Sequence, residues 1–217
     1  MASSLFEQVV AECDDALKNV VRVWQLADLA DLTRREWLTL DRTDAQKKLQ
    51  DAASLLETLD AAAKKAEGSD KRPYALLASR ARRSFATAQL RFIAAFELPS
   101  RGPFANGDRE LPASLRDIVR SSLDSFNRTA QLGPLPSAVL SVRAYGLLLQ
   151  SQWLDAEETA TQAIAANKAD QFALYVAAEA ALQRKDLPAA RNYLREIQPA
   201  TIIDPALVDL VKGLPSP

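Results

Sequence analysis

An all-α fold is the class this sequence predicts, and three features point there. Only 6 glycines occur in 217 residues, and alanine and leucine dominate. Apolar residues return at helical spacing along nearly the whole chain. Sustained alternation, the mark of a half-buried strand, is missing. The expected architecture is about eight or nine helices arranged as antiparallel hairpins stacked on one another.

The first expected helix runs over roughly residues 4–30. Phe6, Val9, Cys13, Ala16, Leu17, Val20, Trp24 and Ala27 share one apolar face, which makes Cys13 a core thiol. "TRREWLTLD" is a short helix of its own or a continuation. Thr43–Gln46, "TDAQ", has capping-box spacing before a second helix carried by Leu49, Ala52, Leu56, Leu59 and Ala63. Pro73 suits the first turn of a third helix, whose inner positions are Tyr74, Leu77, Ala81, Phe85, Ala88, Phe92 and Ala95. Residues 97–112 hold three prolines and two glycines and read as an irregular loop. Pro112 restarts a helix with Leu115, Ile118, Val119, Leu123, Phe126 and Ala130 inward, and "GPLP" at Gly133–Pro136 stops it. The expected division is therefore 1–132, an antiparallel helical region, and 133–217, a repeat-like region ending in a short capping helix.

Composition narrows the chemistry. Histidine is absent, which removes Ser–His–Asp and Cys–His catalysis and histidine metal ligation. A single cysteine makes neither an internal disulfide nor a zinc site. No metal, cofactor or catalytic residue is expected, and the chain is read as no enzyme. The N-terminus lacks a basic leader with an apolar core, and no uncharged run approaches the length of a membrane span, so a cytoplasmic protein is expected. Twenty-seven Lys and Arg against 28 Asp and Glu argue against a general nucleic-acid binder.

A small pattern is written twice. "QSQWLDAEETATQAI" from Gln150 is answered by "QRKDLPAARNYLREI" from Gln183. An offset of 34 pairs Ala156 with Ala190, Leu140 with Leu174, Ala144 with Ala178, Leu148 with Leu182, Trp153 with Leu187 and Ala160 with Leu194. Extended once more, it takes Leu174 to Val208, behind "DPA" at Asp204–Ala206. Small residues at the crossings let paired helices approach, with Trp153 and Leu187 filling the space beside them. Two helices per unit at this period resemble a tetratricopeptide (TPR) repeat, over roughly residues 137–217. The glycine favoured at the family's eighth position is Ala144 or Ala178 here.

The resemblance implies that the first helix of each unit lines a concave face. Family positions fall on Ser141, Tyr145, Leu148 and Leu149, then on Phe172, Tyr175, Glu179, Leu182 and Gln183. Members that grip a peptide carboxylate do so with lysine, asparagine and arginine. Ser141, Tyr145, Tyr175 and Glu179 stand at such places here, so that clamp is missing. The implied function is a non-catalytic adaptor or scaffold holding a protein or peptide segment, with Tyr145, Phe172, Tyr175, Glu179 and Gln183 as the partner-binding set.

Two other readings stand beside it. Residues 68–135 carry 11 basic and 6 acidic groups, and Arg72, Arg80, Arg83 and Arg91 fall within about a quarter turn of one helix. That stripe would suit an anion, whether nucleic acid, acidic protein or lipid headgroup. Its bland counterpart is internal pairing with acids such as Asp51, Glu57 or Asp60. A structural subunit of a homo-oligomeric assembly, using the long first helix, is the other alternative.

Overall fold

The structure, a computed structural model, describes residues 15–32, 34–65, 71–97, 111–129 and 132–197. Every regular element among them is helical: α1 (Asp15–Asp31), the one-turn α2 (Arg34–Trp37), α3 (Arg42–Lys65), α4 (Lys71–Phe92), α5 (Ala113–Arg128), α6 (Ser137–Leu149), α7 (Trp153–Ala166), α8 (Gln171–Gln183) and α9 (Leu187–Glu196). Helix α4 continues into a π-helical turn, Ile93–Glu97. The all-α, stacked-hairpin architecture is as the sequence predicts. Residues 98–110 of the loop expected at 97–112, Cys13 and the capping helix expected beyond Ile197 lie outside the described residues, while Glu97 belongs to the π-helical turn.

Helices pair with their chain neighbours and also with the helix two places on. Helix α6 packs on α7 and α8, α8 on α7 and α9, and α4 on α5 and α6, while α1 and α3 both pack on α4. Helix α4 is therefore shared. Ala78, Ala81, Ala88, Phe92 and Ala95 belong to a core with α1–α3, and Ala86, Leu90, Ile93 and Ala94 to a core with α5–α8. This second core joins Leu90, Phe126 and Val142, residues from both sides of position 132. Gly146 marks a close approach: a Cβ there would meet Leu90 Cδ1 and Leu123 Cδ2 at 3.1 Å.

The 34-residue period holds down to single hydrogen bonds. Ser151 N–H donates to the Leu148 carbonyl at 3.0 Å, and Lys185 N–H to Leu182 at 2.9 Å. Gln152 bonds back to Leu147 at 3.0 Å as Asp186 does to Ala181 at 2.9 Å. Ser151 and Lys185, also 34 apart, share positive φ at 59° and 63°. Ala156 and Ala190 each stand fourth in their helix, at 0% and 1% exposure. The match departs at Leu187, which is 54% exposed and fills nothing, whereas Trp153 is half-buried.

The N-terminal helices differ from the expectation in two respects. Trp24, placed on the inner face of the first helix, is 66% exposed, and Val23, Leu26 and Ala30 go inward instead. Helix α1 is apolar on more than half its circumference, so periodicity alone leaves its rotation open. At α3 the cap is Asp41, not Thr43: Asp41 Oδ1 accepts from Thr43 N–H at 2.8 Å and Asp44 N–H at 3.2 Å. Those bonds, Asp44's first, hold the Asp41 carboxyl below its usual pKa.

Candidate interaction face

Helix α8 is buried round most of its circumference, and its partly exposed residues fall together. At 100° per residue, Gln171, Phe172, Tyr175, Leu182 and Gln183 span an arc of about 120°, with buried Glu179 inside it. Four of the five expected partner-binding residues (Phe172, Tyr175, Glu179 and Gln183) thus lie on one face. Phe172 and Tyr175 stack, ring centroids 6.1 Å apart and planes at 28°. Glu179, 7% exposed, accepts from Gln183 Nε2 at 3.1 Å and lies under that side chain, so it does not present its charge outward.

Tyr145 is the exception, and it explains the face. It is 3% exposed, its ring 5.4 Å from that of Phe172, and so it is core and not an accessible anchor. Tyr145 stands 34 residues before Glu179, on the corresponding arc of α6. Ser141, Leu148 and Leu149 on that arc are buried as well. Helix α8 covers it, placing Val176, Ala177 and Ala180 in the same core. Ser137 Oγ adds a polar tie, donating to Asp170 Oδ2 at 3.0 Å, while Asp170 Oδ1 caps α8 by accepting from Ala173 N–H at 3.0 Å. One surface thus exists twice, once filled by a helix and once at the end of the described stack.

Among its described residues the arginine stripe is exposed only in part. Arg83 is half-buried and donates from Nη2 to the Thr129 carbonyl at 2.6 Å, capping the C-terminus of α5. Arg91 is largely enclosed: its Nε is buried without a hydrogen-bond partner. Burial lowers its pKa, against the opposing pull of Asp170, Asp31 and Glu36. Arg80 is exposed, and the side chain of Arg72 lies outside the described residues. Arg82, off the stripe, pairs internally with Asp60, its Nη2 2.6 and 2.7 Å from the two carboxylate oxygens. Sequence spacing places four guanidinia on one side of a helix; it does not reveal that α5 and the inner core consume two of them.

On the opposite side, features not singled out from the sequence tie the repeated units together. Arg184, in the α8–α9 turn, is paired with Glu157 on α7. Tyr193 OH donates to Glu157 Oε1 at 3.2 Å and lies 3.3 Å from Thr161 Oγ1. Burial, more than any neighbour, pushes the Tyr193 pKa up. Beside this clamp, Gln152, Trp153, Leu154, Asp155 and Arg184 line an open hollow of about 420 Å³. Glu158, adjacent to Glu157, is exposed on another side of α7, so the two carboxylates form no catalytic pair. Among the described residues no cluster of His, Cys, Asp or Glu could hold a metal ion, and no helix is long and apolar enough to cross a membrane. No protein-family model matches the chain, and neither does any curated protein or solved structure.

Proposed function

We propose that this chain is a non-catalytic, TPR-like helical-repeat adaptor whose working surface is the α8 face of Phe172, Tyr175, Leu182 and Gln183. One observation supports this above all. The corresponding face of α6 is occupied by a helix, α8, seated on Tyr145. A surface of the same register is therefore shaped for an amphipathic helix, bound through apolar positions at i, i+3, i+4 and i+7, more than for an extended peptide. Phe172 and Tyr175 supply rigid aromatic area at low entropic cost.

The test is affinity capture with the wild type and with Phe172→Ala/Tyr175→Ala, followed by titration of the purified partner. The double variant is expected to lose at least tenfold in affinity with its helical circular dichroism unchanged. Equal binding by both proteins would remove the face from consideration. Tyr145 is unsuitable for this purpose, since truncating a core tyrosine changes stability as well.

A second reading, a homo-oligomeric structural subunit, draws on Trp24, 66% exposed on α1. Trp24→Lys should then shift the light-scattering mass toward monomer at high concentration. The anion-binding reading has no comparable support, because Arg83 caps α5 and Arg91 sits among carboxylates.

A further inference from the structure

We infer that the outer side of α7 and α9 is the contact between two copies of this chain, related by a two-fold axis running along those helices. This surface is separate from the α8 face, and the inference stands without the adaptor reading. Helices α7 and α9 are the second arms of successive hairpins and run in the same sense. Arg184 and Tyr193 bridge them, both reaching Glu157. Each helix buries one side, α7 at Ala156, Ala160 and Ala163 and α9 at Ala190 and Leu194, and leaves the other exposed.

Three features of this surface fit a second copy. The first is charge. The exposed side of α7 holds Asp155 and Glu158, and that of α9 holds Arg191 and Arg195. None of the four has an ionic partner among the described residues. The repeat breaks at this point, since an offset of 34 takes Glu157 to Arg191, so one unit is acidic where the next is basic. The second is apolar exposure: Leu154 is 63% exposed and Leu187 54%. At 100° per residue Leu154 lies about 40° from Glu158, and Leu187, Arg191 and Arg195 follow at steps of about 40°. Each leucine thus continues a charged row, while Glu196 stands about 100° beyond Arg195, toward the rim. The third is shape. The open hollow of about 420 Å³ sits at the start of α7, walled by Trp153, Leu154 and Arg184, and Leu187 stands at the start of α9. A two-fold axis along the helices sets α9 of one copy over α7 of the other. Leu187 then enters the other copy's hollow while Arg191 meets its Glu158, and both contacts are made twice. Two helices of 14 and 10 residues per copy give a contact at the small end of stable interfaces, for which reversible association is expected.

Analytical ultracentrifugation of the full-length chain tests this. The wild type should show a monomer–dimer equilibrium that weakens as salt is raised. Glu158→Lys and Arg191→Glu, each alone, should weaken it at least tenfold, with helical circular dichroism unchanged. An equimolar mixture of the two variants should associate again as the wild type does, because every contact then joins opposite charges. The double variant Glu158→Lys/Arg191→Glu should do the same. Leu187→Asp, which removes the side chain that fills the hollow, should be monomeric with or without either charge variant. A wild type that stays monomeric up to about 100 μM, well beyond micromolar affinity, overturns the proposal. So does a mixture of the charge variants that remains monomeric, or a mass that grows past the dimer with concentration. Loss of the dimer in Trp24→Lys, with Glu158→Lys unaffected, would assign the contact to α1 and overturn it as well. None of these measurements involves Phe172 or Tyr175, so their outcome leaves the adaptor reading to its own test.

Discussion

Between Leu149 and Trp153 the chain reverses in three residues, and between Gln183 and Leu187 it does so again with the same bonds and the same positive φ. Between Asp31 and Arg42 it takes ten residues and inserts helix α2. The C-terminal hairpins are closed by local turn geometry and alanine crossings. The N-terminal helices are closed by side chains distant in sequence. Trp37 on α2 is fully buried and lies edge-on to Phe92 at 6.3 Å and Phe96 at 6.4 Å, while Arg42 Nη2 donates to Glu97 Oε1 at 2.7 Å. Both regions stack hairpins against α4, so the same packing is reached by a periodic code and by an aperiodic one. A periodic code tolerates a change in either copy to the same extent; an aperiodic one concentrates its stability in a few large side chains.

The largest effect expected is at such a side chain. Trp37→Ala should cost about 3–5 kcal/mol, as deletion of a buried aromatic generally does. Because α4 is shared, thermal unfolding should remain one cooperative transition at lower temperature. A second, unshifted transition belonging to the C-terminal hairpins would show the two regions to be independent.

Ala156→Leu and Ala190→Leu probe the periodic region and should each cost about 1–3 kcal/mol through overpacking at a helix crossing. Denaturant titrations should place the two within about 1 kcal/mol of each other; a large gap would break the equivalence of the units. A subtler contrast lies at the helix starts. Asp186 Oδ1 caps α9 by accepting from Ala189 N–H at 3.1 Å, whereas its counterpart Gln152 makes no side-chain cap. Asp186→Ala should therefore destabilise by about 1 kcal/mol, and Gln152→Asp should stabilise by a similar or smaller amount.

The smallest effect concerns acid. The Asp41 pKa is depressed in the fold by the backbone N–H groups of Asp44 and Thr43. Its contribution is present above the unfolded carboxylate pKa and is lost as pH falls through the lower folded value. Asp41→Asn should flatten the acid limb of the stability–pH curve, and an unaltered limb would deny the cap any role.

Particular elements show how far the sequence could be read. The pairing of Ala156 with Ala190 was legible because a stacked unit imposes the same steric demand every 34 residues. The rotation of α1 was not, since Val23, Trp24, Leu26 and Ala27 supply apolar groups to several sides. Thr43 and Asp41 both offer a capping oxygen, and only the position of the first helical turn chooses between them. The placing of Phe172, Tyr175, Glu179 and Gln183 on one arc of α8 follows from helical spacing alone. The burial of Tyr145 does not, because it depends on the following helix sitting upon it.

Composition and spacing by themselves determined an all-helical chain, its hairpins and their 34-residue step, because helix formation and close crossing depend on side-chain size and local order. Tertiary structure alone decided which of two equivalent faces is filled, which arginines are spent on α5 and the core, and where Trp24 points. Each of those depends on a neighbour brought in from elsewhere in the chain, and a solvent-exposure term cannot be assigned until that neighbour is in place.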